Sequence, residues 1–371
     1  MEQRRLGRTG LDVGAIGLGT EYLLHSAPET IARVIATAAE QGVSYIDLLY
    51  SHRSFLDKFA PALQPVRERV TLAVHLGNAD EGQPPAWFLG REAVERLYAG
   101  ALAQLGTEYA DVVLIQILDF DDGWRRCFEQ GLEIAQRLQR EGRARYVGAS
   151  LHHASYALEA VKTGAVDVLM YPVNMAGHAI PGNAELFAAC ARERVGLVAM
   201  KPYGGGKLLP GHGSNYMHWF QAGGAYVETS GIAGLTPVQC LSYVLAQPGV
   251  CATVPGVKDE RELAAALHYL EATAEERDLT AVTARFRTYE PGECTYCNHC
   301  LPCPAGIDVG ELIRLTDQAR AGLSDALRAA YAALPAHATD CTFCETCMER
   351  CPFKVHVVDR MNEAMDRFGR G

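Results

Sequence analysis

The chain has 371 residues, 49% of them hydrophobic and 21% charged, the make-up of folded globular domains, which excludes wholesale disorder and fibrous architectures. A formal net charge of -10 argues against a surface spread with phosphate-binding cations, so no nucleic-acid partner is expected, while a local basic pocket stays compatible with it. Apolar runs fall short of the roughly 18–20 residues that span a bilayer, and the opening MEQRRLGRTG has no leader-like stretch, so a cytoplasmic protein with no membrane partner is expected.

In chain order, QRRLGRTGLDV suits a short hairpin ahead of the first buried strand. Short β-branched or aliphatic runs then alternate with helical patterns. Strands are predicted at AIGLG near residue 15, SYIDLL near 44, VTLAVHLG from Val70, ADVVLIQI from Ala110, ARYVGAS from Ala144, VDVLMYPVN from Val166, GLVAMKP from Gly196 and ATVPGV from Ala252. Between and after them, stretches such as PETIARVIATAAEQG, REAVERLYAGALAQLG and DERELAAALHYLE carry apolar residues at three- and four-residue spacing. Several end in glycine, which takes the left-handed position past a helix C-terminus. Eight strand-then-helix units over about 260 residues fit a closed (β/α)8 TIM barrel, whose strands read as continuous apolar runs because both faces are buried. An open doubly wound sheet is disfavoured by the lack of a Gly-x-Gly-x-x-Gly turn after the first strand. The Gly-rich connection 203–235 holds Tyr216, His218, Trp219 and Phe220. It follows the seventh strand at the barrel's C-terminal mouth and reads as a lid or cofactor clamp.

Eight of the twelve cysteines fall between Cys294 and Cys351, which predicts a small module behind a larger domain. The expected division is 1–275 for the barrel and 276–371 for a linker helix and a small C-terminal α-helical ferredoxin-like iron-sulfur domain. CTYCNHCLPCP and CTFCETCMERCP are the two halves of a bacterial ferredoxin pattern, in which the fourth cysteine of each run crosses to the other cluster. That rule assigns Cys294, Cys297, Cys300 and Cys351 to one 4Fe-4S cluster, and Cys341, Cys344, Cys347 and Cys303 to the second. The first run has one residue fewer before its last cysteine, and the 37 residues between the runs read as two helices. Structural zinc is the lesser alternative. Cys127, Cys190, Cys240 and Cys251 are expected to be small buried hydrophobes.

The barrel segment resembles the aldo-keto reductases. The resemblance covers about residues 1–275 and rests on RRLGRTGLDVGAIGLGT, YIDLLYS, VTLAVHLG, ADVVLIQILD, YVGASL, MKPYGGGKLL and VPGVKDERELAAAL in that order. It implies NADP(H)-dependent carbonyl chemistry by an Asp, Tyr, Lys and His tetrad. Asp47 matches; His52 stands for the tyrosine, His75 for the lysine and Gln116 for the histidine, with Tyr50 nearby. Leu151 and Met170 replace an expected asparagine and glutamine. The resemblance also places Ser150 in the cofactor site, Lys201, Gly204, Gly205, Gly206 and Lys207 against a pyrophosphate, and Gly256, Val257 and Lys258 against an adenosine phosphate, with Glu262 and Ala266 where adenine-contacting amides are expected. His152, His153, Asn174, His178 and Trp219 join Tyr50 as candidates to line the substrate pocket.

The favoured expectation is an iron-sulfur oxidoreductase whose two clusters pass electrons to a small-molecule substrate or second cofactor at the mouth, where Asp47, His52 and His75 manage protons. Clusters carry single electrons and nicotinamide carries hydride, so a flavin, or an external ferredoxin or flavoprotein donor, would join the two. The alternatives are an NADPH-dependent carbonyl reductase with His52 as acid and a structural or regulatory ferredoxin domain, and a non-catalytic electron-transfer or redox-sensing protein.

Overall fold

The computed structural model describes residues 1–78, 86–116, 123–175, 182–206, 208–210, 234–280, 292, 294, 300–320, 322–351 and 354–369. His178, Lys207, Trp219 and Cys297 lie outside them, as does most of the 203–235 connection.

Two short strands, β1 (Gln3–Arg5) and β2 (Asp12–Gly14), form an antiparallel hairpin. Eight parallel strands follow: β3 (Leu18–Gly19), β4 (Tyr45–Leu48), β5 (Thr71–Leu76), β6 (Ala110–Gln116), β7 (Ala144–Ser150), β8 (Val168–Pro172), β9 (Gly196–Met200) and β10 (Val250–Val254). They pair in sequence order. The first and last meet through parallel bridges Ile16 to Thr253 and Gly19 to Gly256, where the Gly17 N–H donates to Thr253 O at 2.7 Å and the Thr253 N–H donates to Ala15 O at 2.9 Å. The sheet is therefore a barrel, and each of the eight strands sits within the segment predicted for it or at its edge.

The helices on its outside are α1 (Pro28–Glu40), α2 (Arg53–Leu63), α3 (Arg91–Leu105), α4 (Gly123–Arg140), α5 (Ala154–Lys162), α6 (Asn183–Glu193), α7 (Pro237–Leu245) and α8 (Glu260–Leu267). Local chemistry sets their ends. Pro28 and Pro237 start helices, where the missing N–H costs nothing, and Thr236 and Gln239 form a reciprocal capping box.

Strand residues alternate between two cores. Tyr45, Ala73, Val112, Leu114, Val168, Met170, Val198 and Val254 fill the barrel interior with Leu6 and Val13 of the hairpin segment. Ile46, Leu72, Val74, Val113, Ile115 and Leu169 face the helices. This double burial is why the strands read as unbroken apolar runs.

The hairpin plugs the bottom. Gly7 has φ 53°, and a Cβ there would stand 2.3 Å from the backbone N of Gly196. Gly7→Ala combines a left-handed backbone with a clash against β9, so we expect it to cost about 2–4 kcal/mol, read as a lower denaturant midpoint at unchanged slope.

A second apolar cluster, including Ile307, Leu312, Ile313, Tyr331 and Met361, forms in the C-terminal segment. It is built on α9 (Val309–Ala319), α10 (Asp325–Ala332) and α12 (Val357–Phe368), with a single turn, α11 (Thr346–Glu349), among the cysteines. The helices α9 and α10 are the two predicted between the cysteine runs, capped by Asp308 and Ser324. The expected linker helix falls, beyond Thr280, outside the described residues. Among the described residues no helix is long and apolar enough to cross a membrane.

Candidate active site

The interior rows that are apolar deeper in the barrel turn polar at the strand C-terminal ends. Asp47 follows Tyr45 on the inner face of β4, His75 follows Ala73 on β5, Gln116 follows Leu114 on β6, and Ser150 follows Gly148 on β7. Register pairs Asp47 with Ala73, His75 with Leu114 and Gln116 with Ser150, so the four side chains line one arc of the mouth.

His75 is 3% exposed and Asp47 7%, and His75 Nε2 lies 2.9 Å from Asp47 Oδ1. An ionised carboxylate only accepts, so Nε2 carries the proton and Nδ1 is left to exchange one. His75 Nδ1, His52 Nδ1 and Gln116 Oε1 are all buried with no hydrogen-bond partner among the described residues. Buried polar atoms without partners are costly unless a ligand or water meets them. His52 caps α2 from an extended backbone, and its ring lies 4.9 Å from that of Tyr50.

The sequence reading named His152 and Lys201 separately, and the fold joins them. Lys201 Nζ is 2.8 Å from His152 Nε2. Burial first, then the charges of Lys201 and His75, holds the His152 pKa well below the usual imidazole range. The ring is therefore neutral, accepts at Nε2 and keeps its proton on Nδ1. Lys201 takes a left-handed backbone, φ 54°, an uncommon conformation for a side chain of this size. Asn174 Nδ2 donates to Lys201 O at 3.1 Å, while the ring of His153 lies against Tyr156, 5.1 Å between centroids.

One further mouth residue, Glu21, carries no sequence motif. Glu21 follows Thr20, whose hydroxyl and N–H both donate to Asp47 O, at 2.8 and 3.2 Å. Glu21 stands partly buried within reach of the charges of Lys201, Asp47 and His75. Desolvation raises its pKa above the ordinary carboxyl value, opposed by Lys201 and aided by Asp47. The stability this raised group supplies is fully present below its unfolded pKa and is lost as pH climbs through the higher folded one. Glu21→Gln is accordingly expected to raise Tm at neutral pH by about 2–4 °C. The gain should vanish as pH falls toward the ordinary carboxyl value, and thermal melts across pH check it.

The loops expected around a cofactor are partly committed elsewhere. Gly204, Gly205 and Gly206 have φ of 59°, 68° and 87°, but the N–H groups of Gly204 and Gly206 already donate to Lys201 O and Tyr203 O, each at 3.0 Å. Of the three, only the Gly205 N–H has no backbone partner among the described residues. Gly256 lies under Tyr22, whose ring a Cβ would meet at 2.5 Å. Val257 is buried in the core, and so is Ala266. Lys258 Nζ is paired with Glu262 Oε1 at 2.9 Å.

Among the described residues no three His, Cys, Asp or Glu side chains converge on a single ion, at the mouth or elsewhere. The sequence profile of the Aldo/keto reductase family matches residues 11–285. The chain belongs to that family. It is 24% identical over 285 residues to the uncharacterized oxidoreductase YqkF of Bacillus subtilis (strain 168), covering 71% of this chain and 89% of that one. To L-galactose dehydrogenase of Arabidopsis thaliana it is 26% identical over 182 residues, 46% of this chain and 56% of the relative. In fold it is similar to aldo-keto reductase AKR11C1 from Bacillus halodurans in its holo form, with TM-score 0.63, 21% identity, and coverage of 78% of this chain and 98% of that one. It is also similar to a putative aldo-keto reductase from Pseudomonas aeruginosa, with TM-score 0.55, 22% identity, and coverage of 72% and 96%. The chain is thus an oxidoreductase of the aldo/keto reductase family, and the profile match ends before Cys294.

Proposed function

We propose that the chain interconverts a carbonyl and an alcohol on a small molecule at the barrel mouth, with a nicotinamide dinucleotide as the two-electron partner. The observation that carries this reading is the Asp47–His75 pair, locked at 2.9 Å through Nε2 while Nδ1 is buried and unpartnered among the described residues. Bound nicotinamide supplies or takes a hydride. Asp47 fixes the ring tautomer and stabilises the ring when it is protonated, and His75 Nδ1 gives a proton to the carbonyl oxygen or takes one from the hydroxyl. Gln116 Oε1 accepts from a substrate hydroxyl, and His52 and Tyr50 bound the pocket. In this assignment His75, rather than His52, is the acid. A relative named as a sugar dehydrogenase supports hydroxyl and carbonyl chemistry.

Purified full-length chain should consume reduced nicotinamide in a saturable way across a panel of small aldehydes and ketones, one equivalent per alcohol formed, and should still do so after its iron is lost. No turnover in either direction with any of them would contradict the reading. Family membership favours this two-electron route over the cluster-fed route that the sequence reading put first.

A second observation concerns the cysteines. Cys300, Cys303, Cys341, Cys344 and Cys347 line one cavity. Burial, followed by the neighbouring sulfur of Cys341 and then those of Cys344 and Cys303, raises the Cys347 pKa. The Phe343 N–H donates to Cys341 Sγ and the Val355 N–H to Cys351 Sγ, each at 3.4 Å, and hydrogen bonds from Thr346, then Thr342, lower the Cys344 pKa. Such bonds favour thiolate. The shared cavity supports grouping Cys341, Cys344, Cys347 and Cys303 as one 4Fe-4S site, with Cys294, Cys297, Cys300 and Cys351 as the other. Cys300 opens on the first site's cavity although assigned to the second. A cluster spreads its thiolates over four irons, so they stand farther apart than the ligands of one ion. We read this segment as a structural or regulatory ferredoxin-like domain able to exchange single electrons with an external ferredoxin or flavoprotein.

A further inference from the structure

We infer that the dinucleotide accepted at this mouth is NAD(H), and that NADP(H) is turned away by carboxylates filling the corner after β10; this rests on the nicotinamide reading above. The corner runs Lys258, Asp259, Glu260, Arg261, Glu262, two cations against three acids. The donors of Lys258 are already taken. Glu262 holds Lys258 twice, accepting from Nζ at 2.9 Å and from the backbone N–H at 3.0 Å. Asp259 caps α8, its Oδ1 accepting from the Glu262 N–H at 2.9 Å and its carbonyl from the Leu263 N–H at 3.1 Å. Glu260 is engaged by Arg33 of α1. Arg261, the remaining cation of the turn, is exposed.

A 2′-phosphate brings a charge of about -1.5 to -2. To reach the ammonium or the N–H of Lys258 it must displace Glu262, and it then sits beside a released carboxylate and the two acids of the same turn. The Lys258–Glu262 pair is half exposed and on its own holds weakly, so the discrimination comes from like charge around the phosphate. A 2′-hydroxyl meets no such barrier, since it is neutral and can donate to a carboxylate.

Calorimetric titration of the full-length chain with NADH and with NADPH tests the inference. NADH should bind at least about tenfold more tightly, and Glu262→Gln, which removes the charge and keeps the shape, should narrow the gap several-fold chiefly by improving NADPH binding. Equal or tighter binding of NADPH by the unaltered chain, or a gap unchanged in Glu262→Gln, would overturn the inference and leave the reductase reading standing. Binding of neither dinucleotide would overturn both.

Discussion

Asp47→Asn should lower kcat by about 10²–10⁴ without unfolding the barrel. Asp47 and His75 are both almost fully buried and touch through Nε2 and Oδ1 at 2.9 Å. An amide cannot stabilise a protonated ring as a carboxylate does. It can also turn its NH2 toward Nε2, which forces the ring proton onto Nδ1 and leaves the wrong tautomer for taking a proton from an alcohol. The variant keeps its volume, so its melting curve should stay close to that of the unaltered chain while turnover in both directions falls. If kcat dropped less than about threefold with the fold intact, the pair would be structural and the proton would come from elsewhere in the mouth, with His52 the next residue to test.

Cys341→Ser should halve the iron content. Two 4Fe-4S clusters hold about eight irons per chain, and loss of one ligand from one cluster should leave about four. Because Cys303 lies with Cys341, Cys344 and Cys347 despite its distance in sequence, Cys303→Ser should deplete the same cluster and Cys351→Ser the other. Cys351 is 8% exposed and packs in the C-terminal apolar cluster, so its replacement should also loosen that core. Anaerobic purification followed by iron and sulfide determination reads all three. Far fewer than about eight irons in the unaltered chain would remove the two-cluster assignment, and equal losses from Cys303→Ser and Cys351→Ser in the same cluster would remove the crossing rule.

The barrel was legible because burial on both faces writes each strand as an apolar run, and because polar Asp47, His75, Gln116 and Ser150 close four such runs. Residues whose meaning depends on meetings between distant segments were harder to read. His152 and Lys201 come from β7 and β9 ends 49 positions apart, and no spacing predicts their contact. Glu21 sits in a short turn after β3, outside any periodic pattern. Its neighbours Asp47, His75 and Lys201 arrive from three other strands. The nearest signal was its place directly after the C-terminal end of a barrel strand, where catalytic groups collect. The Lys258–Glu262 contact is different: an i,i+4 pair on a helix start is readable from sequence, whereas the family resemblance gives Lys258 to a phosphate and Glu262 to an adenine-contacting position, which does not put the two in contact. The N–H groups of Gly204 and Gly206 show the same effect, since glycine richness announced a turn and the turn consumes two of the three donors.

The central claim is that the mouth performs two-electron carbonyl chemistry independently of the cysteine-rich C-terminal segment. Product analysis with NADH deuterated at the transferable position of C4, using the best carbonyl substrate found, tests it most directly. The account predicts one deuterium on the former carbonyl carbon of each alcohol formed, with or without iron in the C-terminal segment. Alcohol that carries only solvent hydrogen at that carbon, formed only while iron is present, would contradict it.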